Sequence, residues 1–335
     1  MRATPTRVLA ATGGSLIALL LAIAGGLLLG VEHVDLRRAL TEPSSVDAAI
    51  LFGTRLTRVL LGVAVGAALA PAGVAFQALL RNPLADPFVL GVSGGATVTA
   101  TLAIVLGADH MMAVAWSLPL WAFAGALGSV AAVYYLGRVR GRLVPNVALL
   151  AGVVLNSLAA AVVVAIRLVA TPQAAHQALY WLTGSLAATD GAHLIVVSAY
   201  VLVGLGLLWR EAVAMNVLAL GVDSAHTIGV DTERARRRIF IAASLVTGAA
   251  VAFAGPIGFV GILVPHTLRA ILGPDHRLLL PTSALLGAAF LVACDTGARL
   301  AFLALDTEPT VGVITALLGA PFFLVLLRRR GAGGF

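Results

Sequence analysis

The stretch Val59-Leu-Leu-Gly-Val-Ala-Val-Gly-Ala-Ala-Leu-Ala-Pro-Ala-Gly-Val-Ala-Phe-Gln-Ala-Leu-Leu80 holds 22 residues and no charge. About 20 apolar residues suffice to cross a bilayer as a helix. It is followed at once by Arg81-Asn-Pro-Leu-Ala-Asp-Pro87, where two prolines and an Asn force a non-helical turn. The whole chain repeats this grammar. Of its 335 residues 60% are hydrophobic and 11% charged, against roughly 45–50% and 25% in soluble domains. A soluble globular enzyme is excluded on that ground. Apolar segments at 8–31, 54–80, 93–107, 117–137, 146–169, 190–209, 239–254, 257–272, 278–303 and 310–327 predict an all-α membrane protein of ten spans, in one transmembrane domain over 1–335.

Charge orients the spans. All 22 basic residues are arginine, and there is no lysine. A P-loop needs its lysine, so the chain has no such nucleotide site. With both termini in the cytoplasm and ten alternating spans, 16 of the 22 arginines fall on the cytoplasmic side, as the positive-inside rule asks. That explains the formal charge of +7 through anionic headgroups rather than nucleic acid. The single cysteine, Cys294, excludes an internal disulfide and a cysteine metal cluster.

An internal echo points to transport. Gly66-Ala-Ala-Leu-Ala-Pro-Ala-Gly73 matches Gly248-Ala-Ala-Val-Ala-Phe-Ala-Gly255 at six of eight positions, in spans predicted to run in opposite directions. Inverted repeats with broken helices in both halves mark many transporters. The breaks here are 81–87 and the run Gly255-Pro-Ile-Gly-Phe-Val-Gly261 with Val264-Pro-His266. Unpaired backbone at membrane depth must face protein or a water-filled cavity. The expected pathway residues are therefore Gln77, Asn82, Pro83, Gly258, Phe259, Pro265 and His266. Arg167, near the outer end of the fifth span, either snorkels to the interface or faces an anionic cargo.

Other constellations carry less. Gly91-Val-Ser-Gly94 has the form of an intramembrane serine nucleophile, but no histidine base is well placed for it. Ser93 reads better as a helix cap. Asp295 and Arg299 stand four apart inside an apolar segment and can pair on one helix face. The longest cytoplasmic segment, 210–238, holds two short amphipathic pieces around Gly221, with Asp223 and Ser224 as caps of the second. Its Leu218, Leu220, Val222, Ile228 and Val230 have no bilayer to enter there, and Gly229 can end the second piece in a left-handed turn. An apolar surface on that side suggests a soluble docking partner.

In order and with spacing preserved from about 51 to 330, these segments resemble the permeases of iron–siderophore, haem and vitamin B12 ABC importers. The resemblance rests on Arg81-Asn-Pro-Leu-Ala-Asp-Pro-Phe-Val-Leu-Gly-Val-Ser-Gly94, Trp181-Leu-Thr-Gly-Ser185, Leu218-Ala-Leu-Gly221, Ile228-Gly-Val230, Gly255–Gly261, Val264-Pro-His266, Gly273-Pro-Asp-His-Arg277 and Gly319-Ala-Pro-Phe-Phe323. It implies a ten-span subunit paired with a second copy of itself, with the substrate path between the copies. It implies a cytoplasmic ATPase dimer that holds ATP and Mg, this chain binding no cofactor of its own. A periplasmic or lipid-anchored binding protein would deliver the cargo. On this likeness the ATPase-coupling residues are Leu218, Leu220, Gly221, Val222, Asp223, Ile228, Gly229 and Val230, and the docking arginines are Arg55, Arg58 and Arg299. The family usually has Arg-Leu-Pro-Arg where this chain has Arg55-Leu-Thr-Arg58, and Glu-Leu-Pro-Val-Gly where it has Glu308-Pro-Thr-Val-Gly312. Both departures fall near the outer ends of spans. An iron chelate, haem or a ferric siderophore, is the expected cargo; cobalamin is the alternative within the family. An ion-coupled secondary transporter is the alternative outside it, and would need ionisable groups at mid-membrane.

Overall fold

The computed structural model describes residues 5–107, 114–186, 190–220 and 231–331. Helices dominate, because every spanning backbone amide must be satisfied within its own segment. In chain order they are α1 (Pro5–Leu28), α2 (Leu36–Thr41), α3 (Val46–Ala48), α4 (Leu56–Leu80), α5 (Val92–Val105), α6 (Val114–Leu136), α7 (Pro145–Leu168), α8 (Pro172–Leu182), α9 (Gly191–Arg210), α10 (Ala212–Leu220), α11 (Thr232–Ala254), α12 (Val260–Leu272), α13 (His276–Leu305) and α14 (Val311–Gly331). A π-helical stretch, Ala49–Arg55, joins α3 to α4. A two-stranded hairpin, β1 (Arg138–Val139) with β2 (Arg142–Leu143), turns the chain between α6 and α7 through Arg140 and Gly141, both at positive φ.

Among the described residues, seven helical segments are long and apolar enough to cross a membrane: Pro5–Leu28, Val46–Leu80, Trp116–Leu136, Pro145–Leu168, Gly191–Arg210, Thr232–Ala254 and His276–Leu305. Three shorter apolar helices, Val92–Val105, Val260–Leu272 and Val311–Val325, coincide with the remaining expected segments. The sequence reading did not anticipate α8, a short helix capped by Thr171 with Pro172 at its first position.

The packing is concentric. Helices α4, α11 and α13 are buried along most of their length, whereas α1 and α7 are mostly exposed. Small residues allow this. A Cβ on Gly73 would stand 2.0 Å from the Gly261 carbonyl oxygen, and one on Gly66 would stand 2.3 Å from that of Gly287. The backbone of α4 thus touches α12 and α13 directly, which is how membrane helices gain contact where lipid supplies no hydrophobic drive. Outward-facing Leu20 and Leu21 on α1, Leu150, Val154 and Leu158 on α7, and Leu317 and Leu324 on α14 are exposed. An apolar exterior is the expected surface of a chain solvated by lipid.

Candidate functional site

The two helix breaks meet. After α4, Arg81 takes a left-handed conformation (φ 50°) and its amide closes on Gln77 O. Asn82 accepts from the Leu84 amide, and Pro83 completes the turn. Asp86 caps the 3₁₀ turn Pro87–Leu90, accepting from the Phe88 amide at 2.8 Å and also from the amide of Phe259. Gln77 donates Nε2 to Gly261 O at 3.0 Å, and Asn156 of α7 donates to Phe88 O at 2.8 Å. Gly261 lies so close to Pro87 that a Cβ there would be 2.8 Å from its ring. Carboxylate, carboxamides and prolines thus lock a loop at 81–91 to a loop at 255–259, although no local signal links them.

Phe259 has φ 69°, a conformation uncommon for a bulky residue and one that a tight environment must enforce. Its ring fills the space beside Gly319, where a Cβ would stand 2.3 Å from Phe259 Cγ. His266 follows Pro265 on α12, its ring 6.3 Å from that of Phe322 on α14. Gln77, Asn82, Pro83 and Phe259 therefore belong to one locked junction with Gly258. Pro265 and His266 lie along α12 beside it. Arg167 is elsewhere: half-buried at the end of α7, with its Nε buried and given no acceptor among the described residues.

The three arginines expected at a docking rim do converge, but as an internal charge cluster. Arg58 grips Asp295 side-on, Nε to Oδ2 at 2.9 Å and the terminal amine to Oδ1 at 2.7 Å, and reaches Glu308 at 2.5 Å. Arg299 pairs with Asp295 at 3.3 Å and donates to Gly26 O at 2.8 Å. Arg55 donates to Leu27 O at 2.9 Å, to Leu28 O and to Glu32 O. Arg55 and Arg299 are only 5% and 7% exposed, so of the three arginines Arg58 is the one that reaches the outer face. The physical reason is helix capping. The last carbonyls of α1 have no intrahelical donor, and cations at a helix C-terminus also match its dipole. The cluster opens on a cleft of about 310 Å³ lined in part by Glu32, Thr54, Arg55, Arg58 and Glu308.

At the opposite end of α13, α10 is held by polar contacts. Arg81 Nε donates to Leu218 O at 3.1 Å. Asn216 donates to Asp275 and accepts from the amide of His276. Burial pushes the Asp275 carboxyl up, but the hydrogen bonds from Asn216 and the Arg277 amide, with the Arg277 charge, outweigh it and hold it below the usual carboxylate range. Leu218 is fully buried. Leu220 ends α10, while Gly221, Val222, Asp223, Ile228, Gly229 and Val230 lie outside the described residues. Among the described residues no group of three or more histidine, cysteine or acidic side chains could hold a metal.

Sequence reading missed Asn216 and Asp86 as keystones. Asp86 sits inside a quoted motif, so the signal was present but unassigned. It paired Asp295 with Arg299 and did not find Arg58, because that contact spans 237 positions.

This architecture is that of a multi-pass membrane transporter. Residues 16–329 match the FecCD transport family, and the chain belongs to it. It is 47% identical over 284 residues to the cobalamin import system permease protein of Halobacterium salinarum, covering 84% of this chain and 74% of that one. It is 40% identical over 325 residues to the hemin transport system permease protein of Yersinia pestis, covering 95% of each. A solved structure described as an inward-facing conformation of a metal-chelate type ABC transporter superposes with a TM-score of 0.82 at 29% identity, over 95% of this chain and 99% of that one. The chain is an ABC importer permease. That sets aside the ion-coupled reading, and the Asp295 pairings leave no unneutralised acid there to carry a coupling ion.

Proposed function

We propose that this chain is the membrane-spanning half of an importer for a metal-centred organic chelate. One observation carries the reading: two helix breaks, distant in sequence, are locked together by Asp86, Gln77 and Pro87 inside a chain of this family. The single permease domain crosses the cytoplasmic membrane ten times, with both termini inside and halves related by an inverted repeat. Two copies pair, and the path runs between them. A separate ATPase dimer binds ATP and Mg and docks on 215–231. A periplasmic or lipid-anchored binding protein docks at the pole that bears Arg58 and Glu308, the most accessible members of the charge cluster. Arg55 and Arg299 support that pole from beneath.

The cargo reading is an iron chelate, since Arg167 suits a carboxylate-bearing ligand such as haem. Cobalamin is the second reading, favoured by the 47% identity to a cobalamin permease. Uptake of labelled haem, a ferric siderophore and cobalamin by a deletion strain carrying the chain with its ATPase decides between them. Failure to accumulate any of the three would sink the importer assignment for this cargo class.

A further inference from the structure

The contacts between α10 and α13 do more than fill space. Asn216 is the only residue of α10 whose described side chain bonds to another helix's terminus. Its Nδ2 donates to Asp275 Oδ1 at 2.8 Å, while its Oδ1 accepts from the His276 amide at 2.9 Å and lies 2.7 Å from His276 Nδ1. Asp275 Oδ1 also receives the Arg277 amide at 3.0 Å and is the N-cap of α13. One carboxamide therefore bridges the cap residue and the first residue of a 30-residue helix. Only a group that donates and accepts at once can do this. A carboxylate at 216 would face the Asp275 carboxylate, and an aliphatic chain would bond to neither partner.

What lies along α13 gives the bridge a consequence. At about 1.5 Å per residue, the 20 positions from Asp275 to Asp295 span about 30 Å. Asp295 is where Arg58 and Arg299 tie α13 to α4 and to the end of α1. The helix thus runs as one continuous element, with Pro281 in its second turn, from α10 to the charge cluster at the other pole. Met215 and Leu218, flanking Asn216, are fully buried, so α10 is seated as well as hydrogen-bonded.

We propose that Asn216 is a positioning residue that bolts the ATPase-docking segment to α13, so that displacement of that segment is delivered to the Arg58–Asp295 pair at the far pole. This rests on the reading of 215–231 as the coupling segment. Without the bolt, movement of α10 is absorbed locally, and ATP is hydrolysed with less cargo moved.

The test uses the permease with its ATPase and binding protein in proteoliposomes, reading ATPase retention and cargo moved per ATP. Asn216→Asp sets two carboxylates against each other. Cargo per ATP is expected to fall about tenfold, the scale of one broken charged hydrogen bond. Asp275→Asn alone should stay near native, because the carboxamide oxygen it introduces can still accept from Asn216 and from the Arg277 amide. The exchange N216D/D275N reverses donor and acceptor and restores the bridge, so coupling should return. Asn216→Ala, which adds no repulsion, should fold and show the same uncoupling. The proposal is overturned if N216D and N216A couple normally, or if the exchange restores the folded complex without restoring cargo per ATP. The coupling reading itself is tested apart from this: it fails if Leu220→Asp and Gly221→Val keep the ATPase bound and coupled.

Discussion

Asp295 is 2% exposed and pairs with two arginines, Arg58 and Arg299, while Glu308 takes the other side of Arg58. Removing one partner of a buried pair leaves uncompensated charge, which costs about 3–5 kcal/mol. Asp295→Asn is therefore expected to destabilise the folded chain by about that amount. The double change R58M/D295L should cost less than D295N, since it removes charge from both sides. Unfolding in nanodiscs reads both; a D295N variant as stable as the native chain would contradict the account. Asp86 offers a pH counterpart. Burial pushes its carboxyl up to about 6, against the opposing hydrogen bonds from Phe88 and Phe259. Because the folded chain holds this proton more tightly than the unfolded one, its contribution is greatest at low pH. It is lost as pH rises from about 4 to about 6. Asp86→Asn should flatten the pH dependence of the melting temperature across that window and be relatively more stable at pH 7. An unchanged slope would show that Asp86 is not the group responsible.

At the scale of elements, close backbone approach sets what each helix tolerates. Gly73 and Gly261 meet carbonyl against Cα, so even one methyl has nowhere to go without moving α4 from α12. Gly73→Ala should cost about 1–3 kcal/mol, as overpacking does. It should also impair transport, because the same contact abuts the junction of the two breaks. Gly297, whose Cβ would meet nothing within 4 Å, is the control, and Gly297→Ala should be silent in both readouts. The helices themselves were legible: ten apolar runs correspond to seven long helices and three short ones, since apolar length is a local property. The contact between 86 and 259 was not, nor that between 58 and 295, because side-chain pairing across hundreds of positions leaves no periodic trace. The bonds of Arg55 and Arg299 to the end of α1 were illegible for the same reason. Their acceptors are main-chain carbonyls, which every sequence contains and none advertises.

For the whole molecule, the exterior bears on where the proposed second copy would sit. Most outward faces are dominated by apolar side chains, as lipid contact demands. Helix α7 differs: beside exposed Val153, Val154 and Leu158 it carries Asn156, Ser157 and Arg167. Polar and charged groups at membrane depth turn toward protein or water rather than lipid. Asn156 is used internally on Phe88 O, and Ser157 bonds its own helix at Val153 O, but Arg167 Nε has no acceptor among the described residues. A face of this kind suits a protein neighbour or a wet path, whereas α1, with Leu9, Ile17, Leu20 and Leu21 exposed and no charge between Val8 and Leu28, suits lipid. The lone Cys294 is buried, so a Cys294→Ser background leaves no competing thiol. In that background Val154→Cys is expected to form a disulfide-linked dimer on mild oxidation of the ATPase complex in membranes, and Leu20→Cys is expected to remain monomeric on a denaturing gel. Cross-linking through α1 but not α7 would place the proposed second copy on the other side of the molecule and count against the proposal that Arg167 faces the path.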